Sequence, residues 1–224
     1  MSIKDNLYSV QARIKAATVR SGRDESEVQL LGVTKYATDV KVQELVSAGL
    51  LRLGENRIQN LNRRMEQFPD AQWDFIGNLQ TNKVRYCKEA GLIHSLDRPR
   101  LADALNTRAQ NWDKIQEVLI QVNVSGEQSK SGIDPDDMGK FVKRILYECK
   151  NIKIRGLMTM APFIDSEKTR PYFRELNRLY LELQQELGLV WDTLSMGMTN
   201  DFEVAIEEGS TLVRVGSALF TEED

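Results

Sequence analysis

The chain has 224 residues, 41% of them hydrophobic and 28% charged, with a formal net charge of −3. That length can bury a sizeable core, and the charge balance supplies no basic face for nucleic-acid phosphates. One histidine and two distant cysteines match no zinc spacing, no apolar run approaches the roughly 18 residues of a membrane span, and the charged amphipathic start is no signal peptide, so a reducing cytoplasm is the expected compartment.

An amphipathic stretch over about residues 3–21 predicts a helix ahead of the first strand. "VQLLGVTK" (28–35) then reads as a buried strand that delivers Lys35 to its last inward-facing position. "DVKVQELVSAG" follows as a helix that stops at Gly49, and "LRLGEN" (51–56) as the second strand. "NRRM" (62–65) is the densest basic spot and reads as a solvated helix face. "QWDFIGN" (72–78) and "LIHSLD" (92–97) are the third and fourth strands, with His94 expected as a hydrogen-bonded barrel residue. "PRLADALNTRAQNWD" is a helix opened by Asp97 and Pro99, and "DPDDMGKFVKRILYECK" has the same kind of opening. They flank the fifth strand, "EVLIQVNVS" (117–125). "IKIRGLMTM" (152–160), a long helix over about 166–188, "DTLSMG" (192–197) and "TLVRVGSALF" (211–220) complete the series. The alternation predicts an α/β chain whose parallel strands close into a (β/α)₈ TIM barrel, one domain over 1–224. An open doubly wound sheet would carry a glycine-rich phosphate loop after its first strand, where this chain has "TKYATD".

A barrel of this kind builds its site at the C-terminal ends of its strands. There the chain presents Lys35, Asn56, Asn78, Asp97, Asn123 with Ser125, Met158, Ser195, and Arg214 with Gly216. In the fifth strand Val118, Ile120, Val122 and Val124 would meet the helices, while Leu119, Gln121, Asn123 and Ser125 face the lumen. Arg214, inside an apolar strand, needs an acceptor; a carboxylate at the barrel floor is one candidate. "SMGMTND" adds an expected anion site, with Thr199 or Asn200 capping a helix and Gly216 open to close approach. Lys35 has two readings on residues alone. It is a structural lysine paired to Asp97 or Glu55, or a desolvated amine that condenses with a carbonyl, the phosphate cup and Arg214 then fitting pyridoxal 5′-phosphate.

The runs "GVTK", "LGENRIQN", "WDFIGNLQTNK", "IHSLDR", "IQVNVSGEQSKSGI", "RGLMTM" and "LSMGMTNDFEVAIEEGSTLVRVGSALF" occur in order along almost the whole chain. In them the sequence resembles the YggS/PROSC family of pyridoxal phosphate homeostasis proteins. The resemblance implies the barrel of the alanine racemase N-terminal domain (fold type III among enzymes of this cofactor), with the cofactor held as an internal aldimine, a Schiff base on Lys35. It also implies Asn56 as a cofactor-neighbouring residue, phosphate contacts from Ser195, Gly216 and Ser217, and Arg214 against the pyridine nitrogen. Met158 is a candidate for touching the ring, and Lys130 matches a lysine near the site. Ala37 stands where many members have a second lysine, and Arg57 where many have a tyrosine.

Three functions compete. The first is a non-catalytic carrier that buffers pyridoxal 5′-phosphate, a cytoplasmic monomer whose partners are the cofactor and the apoenzymes that depend on it. The second is an amino-acid racemase on the same barrel, and the third a Schiff-base aldolase. A racemase needs a second base from an additional domain, and the sequence ends four residues after the last predicted strand. The carrier is therefore the expectation, with no nucleic acid and no membrane among its partners.

Overall fold

The computed structural model describes residues 2–127 and 131–221. The first helix, α1 (Ile3–Arg20), starts at a reciprocal cap: Ser2 Oγ accepts from the Asp5 N–H at 3.2 Å, and the Asp5 carboxylate accepts from the Ser2 N–H at 3.1 Å. Its buried positions Leu7, Val10, Ile14 and Ala17 recur at helical spacing and form one face. That face lies on the last helices of the chain. Asn6 Nδ2 donates to the carbonyls of Leu219 and Thr221, and Arg13 forms a two-point ion pair with Glu203.

Eight parallel strands follow: β1 (Gln29–Val33), β2 (Arg52–Glu55), β3 (Gln72–Phe75), β4 (Leu92–Leu96), β5 (Gln116–Gln121), β6 (Ile152–Met158), β7 (Thr193–Ser195) and β8 (Leu212–Val215). Each pairs with its successor, and β1 pairs with β8 from Gln29↔Leu212 to Gly32↔Val215, closing the barrel. Outside lie α2 (Asp39–Ser47), α3 (Ile58–Gln67), α4 (Pro99–Asn111), α5 (Met138–Glu148), α6 (Ser166–Leu187), α7 (Phe202–Glu207) and α8 (Ser217–Phe220). This is the (β/α)₈ barrel expected, with two local differences. The crossover between β3 and β4 is a 3₁₀ segment, Thr81–Tyr86, in which Val84 is buried, and Cys87 and Ala90 follow it at intervals of three, the period of a 3₁₀ turn. Residues 217–220, predicted as strand, are helical.

The main core lies between strands and helices. Val118, Ile120 and Val122 join it, whereas Leu119 turns into the lumen and packs with Leu92 and Met158. No helix of the described residues is long and apolar enough to cross a membrane.

Candidate cofactor site at the barrel mouth

The strands end earlier than the sequence implies, and this decides the site. Lys35, Asn56, Asn78, Asp97 and Asn123 all lie just beyond the last paired residue of their strands. Asn123 and Ser125 sit in a loop and bond locally, Asn123 Nδ2 to the Glu127 carbonyl and Ser125 Oγ to Asn123 Oδ1. Asn78 donates to Ser131 Oγ at 3.1 Å.

Lys35 occupies a turn after β1 that is closed by the Ala37 N–H donating to the Thr34 carbonyl at 2.9 Å. It is exposed, its ammonium lying 5.0 Å from the centre of the Tyr36 ring, which is also exposed. The desolvation expected for an inward-facing lysine is therefore absent. Among the described residues Lys35 is paired to no carboxylate: Glu55 accepts from Thr34 Oγ1 and Arg64, and Asp97 pairs with Arg98. The amine stands free for an incoming group.

Arg214 lies deeper. Its backbone pairs with Leu31, four positions before Lys35 on the neighbouring strand. The guanidinium donates through Nη1 to Ser195 Oγ at 2.5 Å and through Nη2 to the Thr159 carbonyl at 2.9 Å. No ion pair to it occurs among the described residues, and its acceptors are a hydroxyl and a carbonyl in place of the carboxylate at the barrel floor that the sequence left open. Burial pushes its pKa down to about 10, which still leaves it a cation at neutral pH.

Ser195, fully buried, continues the chain of contacts. Its oxygen is 3.5 Å from His94 Nδ1, and His94 Nε2 is 3.2 Å from Asp74 Oδ2. Asp74 is also held by Arg52 at 3.0 Å and by the Leu92 N–H at 3.2 Å. A string of polar groups therefore crosses the lumen from Arg52 to Arg214. It fixes His94 with its proton on Nε2, toward Asp74, leaving Nδ1 to accept the serine hydroxyl. Burial keeps that imidazole below its ordinary pKa and neutral. His94 is the hydrogen-bonded barrel residue the sequence suggested.

At the β7 and β8 ends, Thr199 Oγ1 and Ser217 Oγ lie 3.1 Å apart. The cap of α7 is Asp201, not Thr199 or Asn200, and its carboxylate accepts the Met198 N–H at 2.6 Å. Because that short helix begins late, the hydroxyl pair and the Gly216–Ser217 backbone are the groups left for an anion. A Cβ on Gly216 would lie 3.3 Å from Val33 Cβ and from its carbonyl, so glycine is what lets β8 approach β1 here. Gly77 is under a tighter constraint, since a Cβ there would fall 2.1 Å from the Asn56 carbonyl oxygen. Asn56 and Lys83 border a cleft of about 330 Å³ floored by Phe75. A larger cleft of about 510 Å³ opens at the opposite end beneath α1 and contains none of the predicted site residues. Met158 floors the lumen with Leu92 and Leu119, while Met160 is exposed. Lys130 lies outside the described residues.

Sequence reasoning misses the Glu55–Arg64 pair, having named Glu55 only as a possible partner of Lys35. "NRRM" is not wholly a solvated face: Arg63 is exposed and bonds Asp39, but Arg64 is buried against Glu55. Ile58, Leu61 and Arg64 recur every three residues, a spacing that would have placed the arginine on the inner face of α3.

Residues 6–224 match the family model described as alanine racemase, N-terminal domain. A pyridoxal phosphate homeostasis protein from Aquifex aeolicus is 45% identical over 99% of this chain and 99% of its own length. The chain belongs to the pyridoxal phosphate homeostasis protein family. A further member from Escherichia coli is 36% identical over 99% of this chain and 97% of its own. Among solved structures, PipY of Synechococcus elongatus with PLP (pyridoxal 5′-phosphate) bound superposes with a TM-score of 0.84. It is 32% identical, over 98% of this chain and 100% of that one. Alanine racemase of Clostridium difficile shares the fold alone, at 15% identity and a TM-score of 0.75 over 57% of its length. The fold and the family are therefore those expected from the motifs.

The residues present fit the cofactor that PipY carries. Arg214 is a buried donor with no ion-pair partner among the described residues, Thr199 and Ser217 form a hydroxyl pair at the strand ends where barrels hold phosphate, Lys35 is an exposed amine, and Leu92, Leu119 and Met158 form an apolar patch in the lumen.

Proposed function

We propose that this protein binds pyridoxal 5′-phosphate covalently through Lys35 and serves as a carrier in the homeostasis of that cofactor, without turning over a substrate. The observation that carries the reading is the pairing of an exposed Lys35 at the mouth with a buried Arg214 below it that, among the described residues, bonds a hydroxyl and a carbonyl and forms no ion pair. The names of the relatives, matched over nearly their whole lengths, support it.

When bound, the cofactor supplies an aldehyde that condenses with a primary amine. Lys35 presents that amine from a closed turn. Arg214 would offer a guanidinium N–H to the ring nitrogen and, since it remains a cation at neutral pH, would leave that nitrogen unprotonated. Electron withdrawal through the ring is thereby weakened, which suits storage better than carbanion chemistry. Ser195 acts by orienting Arg214, while Thr199, Gly216 and Ser217 receive the phosphate. Asn56 and Met158, at the ends of β2 and β6, would border the ring.

The carrier so proposed is a cytoplasmic monomer that passes its cofactor to apoenzymes. Two buried free cysteines accord with a reducing compartment. The racemase alternative rests on the distant fold relation.

The test is the absorbance of the loaded protein beside Lys35→Ala, followed by borohydride reduction and peptide mapping. Loss of the imine band in the variant, with the label on Lys35 in the wild type, is expected. A label elsewhere, or interconversion of L- and D-alanine by the wild type, overturns the reading.

A further inference from the structure

The turn that carries Lys35 is held from outside the barrel. Arg64, on the inner face of α3 and 3% exposed, donates through Nη1 to the Thr34 carbonyl at 2.7 Å and through Nη2 to the Ala37 carbonyl. These carbonyls are the two ends of the turn, and Lys35 and Tyr36 are its central residues. Arg64 is itself seated on Glu55, which is fully buried and also accepts Thr34 Oγ1 at 2.7 Å. Its Nε lies 3.5 Å from Asp39 Oδ1, at the start of the helix that follows the turn. One planar guanidinium thus joins β1, β2, α2 and α3 around a single exposed lysine.

We infer that Arg64, held by Glu55, is a positioning residue for Lys35: by fixing both ends of the turn it sets where the amine stands over the barrel mouth. The inference rests on the proposal that Lys35 is the covalent attachment point. Arg64 touches neither the amine nor the proposed ring site and acts through backbone alone. An exposed side chain on a mobile turn samples many orientations, and condensation requires few of them. Lysine at position 64 could keep the charge beside Glu55 but could not span both carbonyls.

The experiment uses the full-length protein and the variants Arg64→Lys and Glu55→Gln, with melting followed by circular dichroism. Two ligands are compared. Pyridoxal 5′-phosphate reports formation of the imine band, and pyridoxine 5′-phosphate, which has an alcohol in place of the aldehyde, reports binding that does not involve Lys35. The variants are expected to form the imine about tenfold more slowly while binding the alcohol within about twofold of wild type. Imine formation at the wild-type rate in a folded variant overturns the inference, as does an equal loss for both ligands, which marks general damage. Should one variant fail to fold, the other decides. If the wild type itself carries no imine on Lys35, the attachment reading fails and the inference falls with it, whereas an intact wild-type imine unaffected in the variants removes the inference alone.

Discussion

Arg214 Nη1 lies 2.5 Å from Ser195 Oγ, deep in the barrel lumen. Because the same hydroxyl is 3.5 Å from His94 Nδ1, the direction of its proton is decided: it donates to the imidazole and accepts from the guanidinium. The orientation of Arg214 is therefore inherited, through Ser195 and His94, from Asp74 on the far side of the lumen. An arginine fixed in this way faces an incoming ring with little reorganisation.

Arg214→Gln should weaken both the fold and cofactor retention. The shorter amide cannot satisfy the Ser195 hydroxyl and the Thr159 carbonyl together, and a buried polar group left unpaired costs about 1–3 kcal/mol. Urea unfolding of the apoprotein measures the first effect and absorbance after gel filtration the second. An unchanged midpoint would show that the guanidinium is not integral to the lumen.

His94 makes stability depend on pH. Burial depresses its folded-state pKa below the ordinary 6.5, so the unfolded chain binds the proton more readily. Its contribution is complete above about pH 6.5 and is lost as pH falls toward the folded-state value. Urea midpoints of the wild type should drop between about pH 7 and about pH 5, and those of His94→Gln should drop less over the same window. Equal slopes in the two proteins would assign the titration to other groups.

Gly77→Ala tests the close approach of the β3 loop to Asn56. The added methyl would meet a carbonyl oxygen at 2.1 Å, so backbone must shift at the mouth. We expect a loss of about 2–3 kcal/mol in unfolding free energy, with weaker cofactor binding alongside. A neutral result in both measurements would mean that the loop yields without cost.

The cysteines should be silent. Burial pushes the Cys87 thiol up to about 12 and raises that of Cys149 as well. Ellman's reagent should label neither at about pH 8 in the native protein and both after denaturation, since the thiolate is the nucleophile. Rapid labelling of the native chain would show that these packing regions open.

The barrel is legible in the sequence because strand and helix leave different hydrophobic periods, and "VQLLGVTK", "EVLIQVNVS" and the leucines of the long helix show them plainly. Lys35 and Arg214 stand out for a related reason: a charge inside or at the end of an apolar run has no simple packing role. Where each strand stops is not legible, because a polar residue at the end of a ladder and one in the following turn have the same local pattern. Hence the pattern points Lys35 inward and desolvated, and the structure exposes it in a turn. Arg64 reads as surface because a basic pair on a helix usually is, and only the arrival of Glu55 from a neighbouring strand makes its burial possible. Periodicity and motif order, which are local, determined the fold and the family and singled out Lys35. Which polar groups meet across the lumen was decided by barrel closure, since Ser195 and His94 are 101 residues apart in sequence, and the groups behind the turn meet only because α3 packs back over the β1–β2 pair, which brings Arg64 to Glu55 and Thr34.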